Sequence, residues 1–209
     1  MPEPLGGRAA LAEALFRIGA LRFGKFTLAS GKSSSYYLDL RAVPSDPPAY
    51  DLTISAYLAM AGEMGEQNFD VVAGVATAGI AISSPLAYVL KKPMVYVRRE
   101  QKGHGLGKLV EGAVTPGWRA LVVDDLITDG GSKIDAVETL RKSGCLVSDV
   151  MVLVDRMEGG RENLARSRVK LHAFVDVKEL VETLYMEKKV TKGDYQAVLE
   201  QMEGVGARK

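Results

Sequence analysis

The segment Val122-Val-Asp-Asp-Leu-Ile-Thr-Asp-Gly-Gly-Ser132 carries two adjacent carboxylates out of an apolar run and into a glycine turn. Neighbouring like charges beside a low-dielectric core repel each other and lose hydration unless a polar partner meets them. Asp124 and Asp125 therefore suit a bound molecule that offers hydroxyls or developing positive charge. Beyond Leu126 and Ile127, the run Thr128, Asp129, Gly130, Gly131 and Ser132 would turn backbone N–H groups and the positive end of a helix toward one point, which is a cradle for phosphate. It is neither the Gly-x4-Gly-Lys-Ser/Thr loop nor the Gly-x-Gly-x-x-Gly loop of nucleotide sites. A ribose 5-phosphate meets both demands. The bland alternative is an ordinary strand-turn-helix with solvated acids.

Two further stretches have chemistry-bearing residues. Arg98, Arg99, Lys102, His104 and Lys108 fall within eleven positions punctuated by Gly103, Gly105 and Gly107. Such a loop could close over an anion, counter its charge and exclude water. The other is Gly74-Val-Ala-Thr-Ala-Gly79, whose Thr77 and Ala78 lead into an apolar helical pattern.

These residues need a frame. Helical spacing predicts a helix over 7–22, short strands at Phe26-Thr-Leu28 and Tyr36-Tyr-Leu-Asp-Leu40, a loop at Pro44–Pro48, and a helix to about Gly65. Strands over 70–74, 94–98, 119–123 and 147–154 then alternate with helices over 80–90 and 132–143. The tail adds a strand over 171–175, a helix near 178–188, and a last helix opened by a capping box at Thr191-Lys-Gly-Asp194. Apolar runs of this length alternating with helices predict an α/β fold with a mainly parallel central sheet flanked by helices. In such a sheet, ligands bind beyond the carboxyl ends of the strands, where all three stretches fall. His172, on an apolar strand, reads as structural.

The 209 residues are enough for one domain with a sizeable core. A net charge of +1 without a long basic run argues against a nucleic-acid or membrane-surface partner. One cysteine, Cys145, excludes an intrachain disulfide and a cysteine metal cluster, so a cytoplasmic setting is expected.

The apolar run, Asp-Asp, two apolar residues and Thr-x-Gly-x-Ser resemble the signature of type I phosphoribosyltransferases. The basic loop with Glu111-Gly112, the Phe26-Thr-Leu-x-Ser-Gly block with Tyr36 and Tyr37, and Val152-Leu-Val-Asp-Arg156 resemble, in order, the catalytic loop, the hood and base-binding segment, and the last sheet strand of orotate phosphoribosyltransferase. The resemblance implies that fold, with a small N-terminal hood over about residues 1–45 of a single 1–209 domain. It also implies transfer of ribose 5-phosphate from phosphoribosyl pyrophosphate (PRPP) to orotate, in pyrimidine biosynthesis.

Carried over residue by residue, it gives Asp124 and Asp125 the ribose hydroxyls and the sugar cation, and Thr128–Ser132 the 5-phosphate. It gives Arg98, Arg99, Lys102 and His104, with the backbone at Thr77 and Ala78, the pyrophosphate. Arg156, Tyr36, Tyr37 and Thr128 take the orotate. Magnesium (Mg2+) is expected on the substrate oxygens and not in a protein cage, and a homodimer with shared active sites is implied. Two family lysines are replaced, at Ala29 and Ala78. Asp129 stands where the signature has a small residue or threonine, and its side chain is expected to point outward. A transferase of another base specificity, and a non-catalytic PRPP-sensing regulator on the same fold, are the other readings.

Overall fold

The structure, a computed structural model, describes residues 7–27, 31, 33–98 and 109–206. Helix α1 (Gly7–Arg17) stops short of the predicted end because Gly19 adopts φ +72° and the chain turns into strand β1 (Leu21–Thr27). Strand β2 (Ser33–Leu38) pairs with β1 antiparallel, and the two form the hood ribbon. The predicted loop at Pro44–Pro48 is instead a 3₁₀ turn over Leu40–Ser45 followed directly by α2 (Pro47–Met64). Proline is tolerated at the first helical positions, where its missing N–H has no intrahelical partner to lose. Asp46 caps that helix by accepting the Ala49 N–H at 2.9 Å.

The chain then alternates as expected through β3 (Val71–Val75), α3 (Ala78–Leu90) and β4 (Met94–Val97) and, after the unpredicted two-residue β5 (Val110–Glu111), through β6 (Arg119–Ile127), α4 (Gly131–Lys142) and β7 (Leu146–Asp155). A short α5 (Gly160–Arg166), not predicted, precedes β8 (Lys170–Asp176), α6 (Val177–Met186) and α7 (Lys192–Gly206). The capping box is formed, with Asp194 N–H donating to Thr191 Oγ1 and Thr191 donating back to Asp194 Oδ2. The six-stranded sheet runs β5-β4-β3-β6-β7-β8, parallel except for β5.

Side chains alternate across β6, because successive residues of a strand leave opposite faces. Leu121 and Val123 enter the core shared with α1, α2, α6 and the hood, whereas Ala120 and Val122 enter the core under α4 and α5. Strand β6 also runs four residues past its predicted end, because its pairing with β7 continues through Asp124↔Val152, Leu126↔Val154 and Ile127↔Asp155. Both aspartates are therefore strand residues. His172 of β8 lies 2.7 Å from Asp149 Oδ1, which fits its structural reading.

Candidate active site

The carboxyl ends of β3, β6 and β7 bring three of the expected groups to one edge of the sheet. After β3, the chain passes the cis Ala76–Thr77 peptide into α3. A Cβ added at Gly79 would lie 2.6 Å from the Val123 carbonyl oxygen, so glycine alone lets α3 start this close to the acid-bearing strand. Thr77, Ala78, Ile82, Arg41 and Asp125 line part of a cavity of ≈ 220 Å³ between α3, the hood connection and β6.

Asp124 is only 4% exposed, and Lys133 Nζ of α4 lies 2.6 Å from its Oδ2. Its backbone carbonyl accepts the Tyr57 hydroxyl at 2.6 Å, which ties α2 to the end of β6. Asp125 accepts the Leu126 N–H at 2.8 Å. Burial, and then the neighbouring charge of Asp124, push the Asp125 carboxyl up from 3.8 to about 7. An acid poised there changes charge in the neutral range, as functional carboxylates do.

The cradle follows. Gly130 adopts φ +87° at the N-cap of α4 and has no side chain with which to cap its first turn. Asp129 is exposed, in keeping with the outward orientation expected of it, but its Oδ1 also accepts the Gly131 N–H at 3.0 Å. An orphan donor beside a short acid captures it locally, as Asx turns do. Helix α5 supports the cradle from behind, since Asn163 Nδ2 donates to the Asp129 carbonyl at 2.8 Å.

At the end of β7, Arg156 is 7% exposed and its N–H donates to the Ile127 carbonyl at 3.0 Å. Its Nε donates to the Tyr36 hydroxyl at 3.1 Å, with the guanidinium over the Tyr36 ring. Nη2 is ion-paired with Glu158 Oε1 at 2.9 Å, without a well-formed hydrogen bond. A planar carboxylate matches the fork of such a buried guanidinium. Tyr37 is not brought to Arg156. Strand alternation sends it to the other face of the ribbon, against Phe26 and Arg22.

Arg98, at the end of β4, is held by Glu111 at 3.1 Å. Arg99, Lys102, His104 and Ala29 lie outside the described residues. Sequence reasoning missed Lys133, Tyr57, Asn163 and Glu158. Only Lys133 had a readable signal, a charge at the first position of the buried stripe that continues through Ala136, Val137 and Leu140.

The family model of the phosphoribosyl transferase domain matches residues 54–183. The chain is 42% identical to the orotate phosphoribosyltransferase of Cenarchaeum symbiosum over 89% of its length and 92% of that protein. It is 44% identical to that of Pyrobaculum aerophilum, over 81% and 87%. The solved orotate phosphoribosyltransferase of Aeropyrum pernix superposes with a TM-score of 0.77 at 40% identity, covering 84% of this chain and 98% of that one.

Proposed function

This chain belongs to the orotate phosphoribosyltransferases within the phosphoribosyl transferase family, and from that membership we propose how its side chains divide the work. It transfers ribose 5-phosphate from phosphoribosyl pyrophosphate to N1 of orotate, giving orotidine 5′-phosphate and pyrophosphate. Departure of pyrophosphate leaves oxocarbenium character on the ribose and negative charge on the leaving group. The protein must therefore set anions near the first and cations near the second, strongest at the transition state.

Asp124 and Asp125 supply the negative side, with Asp125 in the cavity wall. The N–H groups of the cradle, with Thr128 and Ser132, hold the 5-phosphate. Thr77 and Ala78 present backbone to the pyrophosphate, and Arg98, Arg99, Lys102 and His104 supply positive charge. Arg41 lines the same cavity as Ala78, where the family lysine is replaced.

Magnesium, when bound, neutralises the pyrophosphate charge. It would ride on the substrate's pyrophosphate and ribose oxygens, since a small hard dication keeps much of its water and takes few protein ligands.

The observation that carries the orotate reading is Arg156, a buried planar fork whose guanidinium lies over Tyr36 and pairs with Glu158. The test follows the fall in orotate absorbance on adding phosphoribosyl pyrophosphate and magnesium. Arg156→Ala should raise the orotate KM far more than that for phosphoribosyl pyrophosphate. Equal effects on both substrates would remove Arg156 from the orotate site.

We read residues 1–209 as one domain working as a homodimer, with the basic loop of each subunit serving the other's site. The buried, unpaired Cys145 supports a reducing, cytoplasmic setting.

A further inference from the structure

The two acids do not share an environment. Strand alternation places Asp124 with Ala120 and Val122, toward α4, and Asp125 with Leu121 and Val123, toward α2 and the hood. Asp125 lines the cavity beside Thr77 and Ala78, and Asp124 does not. The Asp124 carboxylate instead meets Lys133 Nζ at 2.6 Å, with both side chains under a tenth exposed. Lys133 also donates to Ser132 Oγ at 3.3 Å, in the last residue of the cradle. An ammonium at a core position of an amphipathic helix is retained only where an opposite charge meets it.

We propose that Lys133 is a positioning residue of the transfer: it holds Asp124 in a buried ion pair and leaves Asp125 as the acid of the pair that meets the ribose. This deepens, and rests on, the phosphoribosyltransferase reading of the site. It also resolves how two adjacent carboxylates coexist at the end of a buried strand. One is neutralised from the α4 face and the other faces the substrate. Through Ser132, the same lysine links the acid pair to the phosphate cradle, so the two substrate contacts share one buried anchor.

Asp125 is the reporter. The groups that face it or bear on it are Asp124 on its own strand, Lys133 from α4, Arg41 from the turn after β2, and Tyr57 and the cavity-lining Tyr50 from α2. From α3 and β7 the cavity presents Ala78, Ala81, Ile82 and Leu153, none of which titrates. Asp124 holds the Asp125 carboxyl up, and Lys133 draws it down.

The test is the pH dependence of kcat/KM for phosphoribosyl pyrophosphate, which reports groups of the free enzyme. Lys133→Met should move the acid limb to higher pH by about one unit, because a nearby cation no longer favours ionised Asp125. Asp124→Asn should move the limb of its residual activity the other way, because a nearby anion is gone. Lys133→Arg should restore the wild-type profile. Loss of packing alone would not give shifts of opposite sign.

Thermal melts establish that each variant is folded. A folded Lys133→Met with an unmoved acid limb overturns the proposal. Should Lys133→Met fail to fold, Asp124→Asn decides: a downward shift supports the proposal, and an unmoved or upward limb overturns it. A wild-type protein that transfers no phosphoribosyl group to orotate would instead refute the underlying reading, an outcome visible before any variant is made.

Discussion

Asp125 is held where a carboxylate ionises reluctantly, with burial and the charge of Asp124 lifting it to about 7. An acid raised above its unfolded value stabilises the native state when protonated, fully so below about pH 4, and that contribution is lost as pH rises through 7. Asp125→Asn should therefore melt above the wild type at pH 8, with the difference closing toward pH 5. Its kcat should fall by roughly 10²–10³, the size expected when one preorganised electrostatic contact is removed. Melting curves at the two pH values, with turnover at pH 8, check both halves. A variant less stable than wild type at pH 8, or one with normal turnover, would contradict the role given to Asp125. The acids and the glycine turn were legible from residue type and spacing. The hydrogen bond from the Gly131 N–H to Asp129 was not, because it depends on which orphan N–H lies within reach, a matter of local backbone geometry.

At the scale of elements, the alternation of apolar runs with helices was enough to read the parallel sheet, since strands buried on both faces leave that pattern. The end of β6 was misread because Asp124 and Asp125 interrupt its apolar run before Leu126 and Ile127, and only pairing with β7 shows that the strand continues. Helix α5 escaped because it is seven residues long and buries only Gly160 and Leu164, too little for a periodic stripe. Yet α5 braces the cradle. A Cβ at Gly160 would lie 2.5 Å from the Thr128 carbonyl oxygen and as close to the Ile127 side chain. Gly160→Ala should shift the Thr128 backbone, raising the KM for phosphoribosyl pyrophosphate several-fold while moving the orotate KM less. Overpacking of this kind costs about 1–3 kcal/mol, readable as a lower denaturation midpoint. Steady-state kinetics with each substrate varied decides the matter, and an unchanged KM for phosphoribosyl pyrophosphate would show that α5 does not brace the site.

Across the whole molecule, the hood is part of the larger core. Leu21, Tyr36 and Leu38 pack in the same cluster as Leu121, Val123 and Leu153, and Gln201 of α7 accepts the Ser35 N–H at 2.6 Å. The two residues proposed for orotate, Tyr36 and Arg156, are thus built into this scaffold, whereas we propose that the pyrophosphate cations belong to a loop serving the neighbouring subunit. Mixing Lys102→Ala with Asp125→Ala protein tests that sharing. If Lys102 serves the other subunit's site, each mixed dimer holds one intact site and one doubly altered site. Random exchange at equal amounts should then recover roughly a quarter of wild-type activity for a two-fold symmetric dimer. If Lys102 serves its own site, no intact site forms and activity stays at the level of the separate variants.

If the cradle takes the 5-phosphate as proposed, the Asp129 carboxylate seated on the Gly131 N–H makes that binding differ from simple insertion into an open receptor. Filling the cradle becomes an exchange of tenants: a tethered monoanion is evicted, and an incoming dianion takes its donor. A phosphorylated sugar carries enough charge to win that exchange through several N–H groups at once, whereas the same sugar without its phosphate has nothing to offer in return. Competition from within the chain would thereby act as a threshold, rejecting neutral ribosides before the chemistry at the anomeric carbon begins.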